Sequence, residues 1–299
     1  MNMFDYRQLA TLTAILEEGS FDKAAKKLFI TQSAVSQRLR QLEDNLGQTL
    51  VVRSTPLTAT SAGQRLLKHY KQVSLLENEL DEDLRNQNEQ GFTSLTIGLN
   101  ADSIGTWFFG AVKDFVSENN ILLDLKVDDQ GQTHHLLRTG EVLGCISGSS
   151  SAVQGCRCIP LGQMIYRPLA SPDFVQQYAP AGLTAENIAD IPVAVFNRKD
   201  PLQHSYLEQK FGLVKFPHHL IPACDGFISA LLKGFAYGLV PDQQGQEFMD
   251  RGDLISIDPG HEILIPLYWH VWNLQTDLMK GLTQALVSEA RQVLVPIGD

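Results

Sequence analysis

Long apolar runs and positive charge are both scarce in this chain of 299 residues. No run of about 20 apolar residues is present, so we expect no membrane-spanning helix. The first predicted helix carries charged side chains and no long apolar segment, so we expect no secretory signal and a cytoplasmic protein. The length allows two or three compact units.

Cysteine is also rare, with four residues at Cys145, Cys156, Cys158 and Cys224. They include a C-x-C but no C-x-x-C pair with a distant partner, so zinc binding is a poor interpretation. We expect reduced thiols, no metal and no cofactor. A redox switch remains an alternative that no motif supports.

The net charge of −10 argues against a uniformly basic, nucleic-acid-binding surface. The charge is uneven along the chain. Residues 1–60 carry seven basic and six acidic residues, whereas residues 61–90 have a net charge of −2 and residues 91–299 a net charge of −9. The acidity therefore belongs to the C-terminal two-thirds, and the first 60 residues are mildly basic.

One short stretch combines apolar periodicity with groups that suit DNA: Thr31 to Glu43 reads "TQSAVSQRLRQLE". On a helix from Gln32 to Leu46, one side collects Val35, Leu39, Leu42 and Leu46, and the opposite side collects Ser33, Ser36, Gln37, Arg40 and Gln41. Hydroxyl, amide and guanidinium groups bond to base edges and phosphates. Taken alone, however, such a face is more often merely solvated.

The preceding residues change that interpretation. A capping box at Asp5-x-x-Gln8 predicts a first helix closed by Gly19, Ser20 can cap a second, and Thr31 can cap the third. Three short helices with a tight last connection form a helix-turn-helix. The β-prone run "LVVRSTPLTAT" follows and predicts a wing, with Arg53 placed to meet a phosphate.

The segment "AAKKLFITQSAVSQRLRQLEDNLGQTLVVR", followed by "TSAG", resembles the N-terminal domain of LysR-type transcriptional regulators. "NADSIGTWF", "QGCRCIPLG", "FNRKDPLQH" and "PLYWHVW" are similar to the arginine/lysine-responsive ArgP/IciA/LysG group of that family, over nearly the whole chain. The resemblance implies a winged helix-turn-helix domain in residues 1–60 that binds double-stranded DNA. The expected DNA contacts are Thr31, Gln32, Ser33, Ser36, Gln37, Arg40 and Arg53.

Residues 61–90 predict one long helix. Its apolar stripe consists of Leu66, Tyr70, Val73, Leu76, Leu80 and Leu84. So small a preceding domain cannot bury this stripe, so we favour pairing with a second copy over packing on the same chain. A dimer would place two recognition helices on two half-sites about one turn apart. A homotetramer is the further assembly that the family implies.

Strand and helix patterns alternate through residues 91–299, which predicts a mostly parallel sheet and two α/β lobes. The resemblance adds a fold like that of periplasmic binding proteins, in which the chain crosses between lobes near Leu161–Ala170 and Leu264–Val271. A last helix, Thr276 to Leu294, would return to the first lobe. Lobe I then comprises 91–163 and 270–299, and lobe II comprises 164–269.

Ligands of such sheets bind at the carboxyl ends of strands, so we expect an effector in the cleft between the lobes. Ser103 and Thr106 would donate hydroxyls, Trp107 would form a wall, and Asp129 would meet a cationic group. Further candidates are Ser147, Asp200 (or His204) and Asp225. The plainer alternatives are a helix cap at Ser103, a solvated turn at Asp129, a surface turn at Asp200 and a helix cap at Asp225.

Together with these features, the resemblance implies a DNA-binding transcriptional activator that senses arginine or lysine and is not an enzyme. The resemblance implies target genes such as a basic amino-acid exporter, and RNA polymerase as a partner. A regulator that responds to another small metabolite, such as an organic acid, is the alternative. An enzyme is disfavoured because no H-x-x-x-H or G-x-S-x-G motif occurs. A solute-binding protein of a transporter is disfavoured by the helix-turn-helix.

Overall fold

The computed structural model describes residues 4–54, 56–84, 92–127, 133–274 and 276–298. A helical N-terminal unit is joined by one long helix to an α/β unit with two lobes. Within the described residues, no helix combines the length and the apolar character that a membrane crossing needs.

The N-terminal unit has three helices and a two-stranded wing. Its elements are α1 (Tyr6–Glu18), α2 (Phe21–Lys27), α3 (Gln32–Leu46), β1 (Val51–Val52) and β2 (Thr58–Ala59). The helices meet in a core of Leu9, Leu12, Ile15, Ala24, Ala25, Val35, Leu39 and Leu42, all nearly inaccessible to solvent. The predicted apolar sides of α1, α2 and α3 are therefore the buried sides, and the helix-turn-helix and the wing are confirmed.

The ends of these helices are held mostly as predicted. The Asp5 carboxylate accepts a hydrogen bond from the Arg7 N–H, and the Thr31 hydroxyl accepts one from the Ala34 N–H. Gly19 closes α1 with a left-handed φ of 61°. The prediction for Ser20 is wrong in part, because Ser20 occupies the cap position of α2 but its hydroxyl makes no capping bond.

The long helix α4 (Ser61–Leu84) is packed by its own chain over only part of its length. Leu66 and Tyr70 pack on the N-terminal core, and Leu75 belongs to the core of the α/β unit. Leu76 and Leu80 remain 45% and 58% exposed. The predicted stripe is therefore divided between contacts inside the chain and an exposed apolar face.

The α/β unit is built on two long antiparallel strands, β6 (Cys156–Ala170) and β11 (Ile263–Trp272). The other strands are β3 (Thr93–Leu99), β4 (Ile121–Val127), β5 (Gly144–Ser147), β7 (Val193–Val195), β8 (His218–Leu220), β9 (Gly238–Pro241) and β10 (Ile255–Ser256). The main sheet runs β10-β6-β11-β5-β3-β4, and β9 also pairs with β6. The strands β7 and β8 form a separate parallel pair.

The prediction of a mostly parallel sheet is wrong. Only β3–β4 and β3–β5 are parallel in the main sheet, because both long strands cross from lobe to lobe and pair antiparallel with their neighbours. The two-lobed architecture is nevertheless confirmed. The residue limits assigned to the domains and lobes from sequence remain a prediction.

Helices pack against the strands of both lobes. They are α5 (Ala101–Thr106), α6 (Phe108–Glu118), α7 (Thr133–Thr139), α8 (Pro172–Tyr178), α9 (Leu202–Phe211), α10 (Cys224–Leu232), α11 (Asp242–Arg251) and α12 (Asp277–Val293). The last helix, α12, packs against α6 and β6, so the chain ends on the lobe in which the α/β unit begins. Sequence predicted one helix after β3, but the chain breaks at Trp107 into α5 and α6.

Candidate functional site

The outward side of α3 carries most of the predicted DNA contacts. Gln32, Ser33, Gln37 and Arg40 are exposed, Ser36 is half-buried, and Thr31 is exposed at the helix start. The Thr31 and Ser33 hydroxyls lie 3.0 Å apart. The apolar side of the same helix is fixed by Val35, Leu39 and Leu42 in the core. The orientation of this polar face is therefore set by packing.

Arg53 projects from the wing, directly after β1, and is exposed. Its guanidinium lies 5.8 Å from the centre of the Phe21 ring at the start of α2. A cation held near an aromatic face is partly pre-positioned. The wing thus places one basic group beside the helix-turn-helix.

A cavity of about 990 Å³ lies between the two lobes of the α/β unit. Four strands end at its wall: Asn100 follows β3, Val127 ends β4, Gly148 follows β5 and Phe196 follows β7. The carboxyl ends of parallel strands are where ligands of open α/β sheets bind. The remaining wall comes from residues 197–202, from α9 and from residues 261–266.

Two polar side chains beside this cavity lack hydrogen-bond partners among the described residues. Asn100 is 4% exposed, and neither its amide nitrogen nor its amide oxygen is bonded. Ser103 is completely buried one helical turn further on, and its hydroxyl is also unbonded. Leaving buried polar groups without hydrogen bonds is costly. The unused donors and acceptors at the junction of β3 and α5 are therefore suited to bind a ligand.

Asp102 supplies the carboxylate at this point of the cavity wall. Its Oδ2 accepts a hydrogen bond of 2.7 Å from the Tyr166 hydroxyl, whose residue is held in β6. Burial raises the pKa of Asp102 above the usual value, and the Tyr166 hydrogen bond only partly offsets that rise. A carboxylate in such a place is stabilised by a cationic ligand.

The lobe II side of the cavity carries charge of both signs. Arg198, Lys199 and Asp200 line it in succession, and the Asp200 carboxylate accepts a hydrogen bond from the Leu202 N–H. Lys210 and Tyr206 also line it, and both bond to the Asp258 carboxylate. The cavity therefore offers partners to a ligand that carries both charges.

The structure gathers only some of the predicted effector residues. Asp200 lines the cavity, and Ser147 is buried immediately before the lining residue Gly148. Ser103 lies behind the wall, and Thr106 donates its hydroxyl to the Asp102 backbone oxygen. Asp129 lies outside the described residues, so its predicted role remains a prediction.

Two other predicted effector residues lie away from the cavity, as does the alternative His204. Trp107 is 3% exposed and belongs to the hydrophobic core of the α/β unit, because its place between α5 and α6 turns the indole inward. Asp225 is exposed in the first turn of α10. Ala223 occupies the cap position without a side-chain bond, so the alternative of Asp225 as a cap is wrong. The His204 ring packs against Phe216, with 4.8 Å between the ring centres.

Sequence reasoning missed Asn100 and Asp102 as cavity residues. Both belong to the segment "NADSIGTWF", in which the sequence predicts effector contacts only from Ser103, Thr106 and Trp107. The available signal was position, because the first residue after a buried parallel strand lies at the ligand-binding edge of the sheet. Tyr206 and Lys210 had no comparable signal, since only the packing of α9 brings them to the cavity.

The histidines and cysteines do not form an evident metal centre. The Nε2 atoms of His134 and His270 lie 3.0 Å apart, and burial lowers the pKa of both imidazoles. All four cysteines are free thiols, and burial raises the pKa of Cys145 to about 12. Across the part of the chain that the structure describes, no three His, Cys, Asp or Glu side chains come together as a possible metal site.

The two sites are joined by α4 through a basic side chain. The Lys71 ammonium lies 3.3 Å from a carboxylate oxygen of Glu17 in α1, and it donates a 3.4 Å hydrogen bond to the Glu141 backbone oxygen after α7. Leu75, one turn further along, is buried in the core of the α/β unit. The helix α4 therefore contacts both the N-terminal unit and lobe I.

Comparison with known proteins gives consistent results over the full chain. Residues 6–64 match the family model described as "Bacterial regulatory helix-turn-helix protein, lysR family". The chain is 44% identical over 298 residues to the HTH-type transcriptional regulator ArgP of Pseudomonas aeruginosa (strain UCBPP-PA14), and the match covers 99% of each protein.

Two solved structures share both the fold and much of the sequence. ArgP from Mycobacterium tuberculosis is 36% identical with a TM-score of 0.87, over 99% of this chain and 100% of that one. Full-length LysG from Corynebacterium glutamicum, solved with the bound effector arginine, is 34% identical with a TM-score of 0.79, over 98% of this chain and 100% of that one. The relatives named here are regulators and not enzymes.

Proposed function

The chain belongs to the LysR family of HTH-type transcriptional regulators, and we propose that it senses a basic amino acid, arginine or lysine, in the cavity between its lobes. The observation that carries the proposal is Asp102 on the cavity wall beside the unbonded amide of Asn100. The solved relative with bound arginine supports the same class of ligand.

An amino acid with a cationic side chain suits both signs of charge in the cavity. Asp102 would take the ammonium or guanidinium group, and the Asn100 amide and Ser103 hydroxyl would complete hydrogen bonds that the protein alone leaves unmade. Asp200, Ser147 and Asp129 remain proposed contacts. Trp107, Thr106 and Asp225 would act only indirectly, because none of them lines the cavity.

DNA binding is proposed for the outward face of α3 and for the wing. Gln32, Ser33, Ser36, Gln37 and Arg40 would meet base edges and phosphates in the major groove, and Thr31 and Arg53 would meet the backbone. The proposed units are a DNA-binding domain in residues 1–60, a dimerisation helix in 61–90 and an effector domain in 91–299. RNA polymerase and a basic amino-acid exporter gene are the proposed partner and target.

Coupling between the sites would follow from differential affinity. If arginine binds one arrangement of the lobes more tightly, it shifts the population toward that arrangement. Lys71 of α4 touches both units and Leu75 packs in the core of the α/β unit, so α4 provides a physical route from lobe I to the helix-turn-helix.

Calorimetry on the full chain with arginine, lysine and a set of dicarboxylic acids tests the ligand class. Micromolar binding of arginine or lysine, without binding of the acids, is the expected result. DNase footprints on a bound promoter, with and without arginine, test the coupling. Identical footprints under both conditions would count against it.

An organic acid is the second candidate ligand. Arg198 and Lys199 line the cavity next to each other, and such basic groups are suited to bind carboxylates. Binding of a dicarboxylic acid, together with no heat from arginine or lysine, would establish this candidate instead.

The exposed apolar face of α4 is proposed to pair with a second copy. Leu76→Asp combined with Leu80→Asp should raise the dimer dissociation constant at least about tenfold, since two charges would be buried in an apolar seam. Analytical ultracentrifugation measures it. Val214→Asp alters another exposed apolar side chain, in lobe II, and serves as the control. A double variant that remains dimeric would exclude this face as the seam.

The affinity for arginine should depend on pH through Asp102. The folded-state pKa is raised, so the carboxylate takes up a proton at higher pH than an ordinary aspartate. Arginine affinity should fall about tenfold for each pH unit below that pKa. The free energy of unfolding of the ligand-free protein should rise over the same range, because protonation removes the buried charge. Calorimetry from pH 8 down to the pKa of an ordinary aspartate, about 3.9, measures the affinity, and Asp102→Asn should give a flat, weak profile. A wild-type profile as flat as that of the variant would contradict the role of Asp102.

A further inference from the structure

Phe29, in the turn between α2 and α3, combines two unusual properties. Its side chain is 95% exposed, the highest value among the exposed large apolar residues of the described chain. Its backbone has a φ of 54°, in the left-handed region. Among the described residues, the only other non-glycine with a positive φ is Asn120, and asparagine tolerates this conformation far better than phenylalanine does.

The backbone conformation is imposed by the way α2 ends. The Phe29 N–H donates to the Lys26 oxygen at 3.2 Å, and the Ile30 N–H donates to the Ala25 oxygen at 3.1 Å. This pair of bonds closes a helix with a left-handed residue that is usually glycine. Four other described helices close with the same pair of bonds around a left-handed residue, and that residue is Gly47, Gly140, Gly234 or Gly252.

The ring contributes nothing to the fold that would compensate for this conformation. Leu28 and Ile30, on either side, are half-buried and pack against the N-terminal core, whereas Phe29 points to solvent. Glycine would close α2 equally well. A strained, exposed aromatic residue is therefore better explained by a contact that the free protein does not make.

The position of Phe29 indicates what that contact is. Two peptide units separate it from Thr31, so the two Cα atoms are at most about 7.6 Å apart. Thr31 starts the recognition helix, and Gln32 and Ser33 are exposed in its first turn. The N-terminal residues of such a helix enter the major groove, and the only apolar group exposed there on a base is the thymine C5-methyl.

We propose that Phe29 is a specificity-determining residue that packs its ring against a thymine methyl group at the edge of the major groove. This inference rests on the proposed DNA binding by α3. It assigns to the turn a preference for thymine at one position of each half-site, which the polar side chains of α3 would not supply.

The test begins with an operator selected from a random duplex library by the wild-type protein. Each thymine is then replaced singly by deoxyuridine, which removes only the C5-methyl group. Wild-type affinity, measured by fluorescence anisotropy, should fall about 5- to 10-fold at one position in each half-site. Phe29→Gly should bind the unmodified operator about 5- to 10-fold more weakly and show no further loss with deoxyuridine there.

Two further variants separate this contact from effects on folding. Phe29→Asn introduces a residue that tolerates the left-handed conformation, and it should reproduce the Phe29→Gly result with a melting temperature no lower than that of the wild type. Phe235→Ala removes another exposed aromatic ring, 58% accessible in lobe II, and should change nothing. Wild-type affinity in Phe29→Gly, or a deoxyuridine loss that persists in it, would overturn the inference. Failure of the wild-type protein to select any sequence would instead refute the proposed function.

Discussion

Operator affinity should fall by a factor of at least about 10⁴ when Ser36, Gln37 and Arg40 are replaced together by alanine. All three lie on the outward side of α3, and the same helix is anchored by Val35 and Leu39 in the core. Direct base contacts contribute about 1–3 kcal/mol each, and a dimer loses them in both half-sites. Fluorescence anisotropy on a selected operator measures the loss, and circular dichroism checks the fold.

The chain offers a control triplet of the same residue types. Ser288, Arg291 and Gln292 are all exposed on α12, far along the chain in the α/β unit. Their combined replacement by alanine removes the same polar and charged groups. If a change in net charge alone weakened operator binding, this control variant would also bind the operator more weakly. Unchanged operator affinity in a folded, dimeric α3 triple variant would rule out this face as the DNA contact.

Arginine affinity should fall about 100-fold in Asp102→Asn. The substitution keeps an acceptor for the Tyr166 hydroxyl but removes the charge that would pair with the guanidinium group. Loss of one partner from a desolvated, hydrogen-bonded charge pair costs about 3 kcal/mol, which corresponds to roughly two orders of magnitude in Kd. Calorimetry with arginine measures it. The melting temperature of the ligand-free variant should be no lower, because burial disfavours the charged form of Asp102.

Asp114→Asn is the matched control for this experiment. Asp114 is an exposed carboxylate on α6 of the same lobe, so its replacement changes the net charge equally without touching the cavity. Operator binding without effector should persist in both variants. Should Asp102→Asn bind arginine as tightly as Asp114→Asn does, the proposed placement of the cation would be wrong.

The sequence alone was sufficient for the N-terminal unit. Its helices are short and amphipathic, and their ends carry local signals such as Asp5, Gly19 and Thr31. Each signal acts within one turn of the chain, so periodicity and capping chemistry predict the element and its buried face together. The family resemblance that these residues carry is confirmed over the whole chain.

The sequence was a weaker guide to the effector site. Trp107 was predicted as a cavity wall, but a break between α5 and α6 turns it into the core. Asp102 lines the cavity but was not predicted to, although it lies in the same segment. Which side of a short helix faces a cleft depends on the neighbouring β6 strand, whose Tyr166 bonds to Asp102 across 64 positions of sequence.

What the sequence by itself determined is the set of local structures: the helix-turn-helix, its polar face, and the alternating strands and helices that follow. The tertiary structure alone decided that β6 and β11 run antiparallel through both lobes, and that four strand ends meet around one cavity. The physical reason is the range of the interactions. Caps and amphipathic faces are fixed by residues a few positions apart, whereas the cavity is fixed by packing between segments more than 60 residues apart.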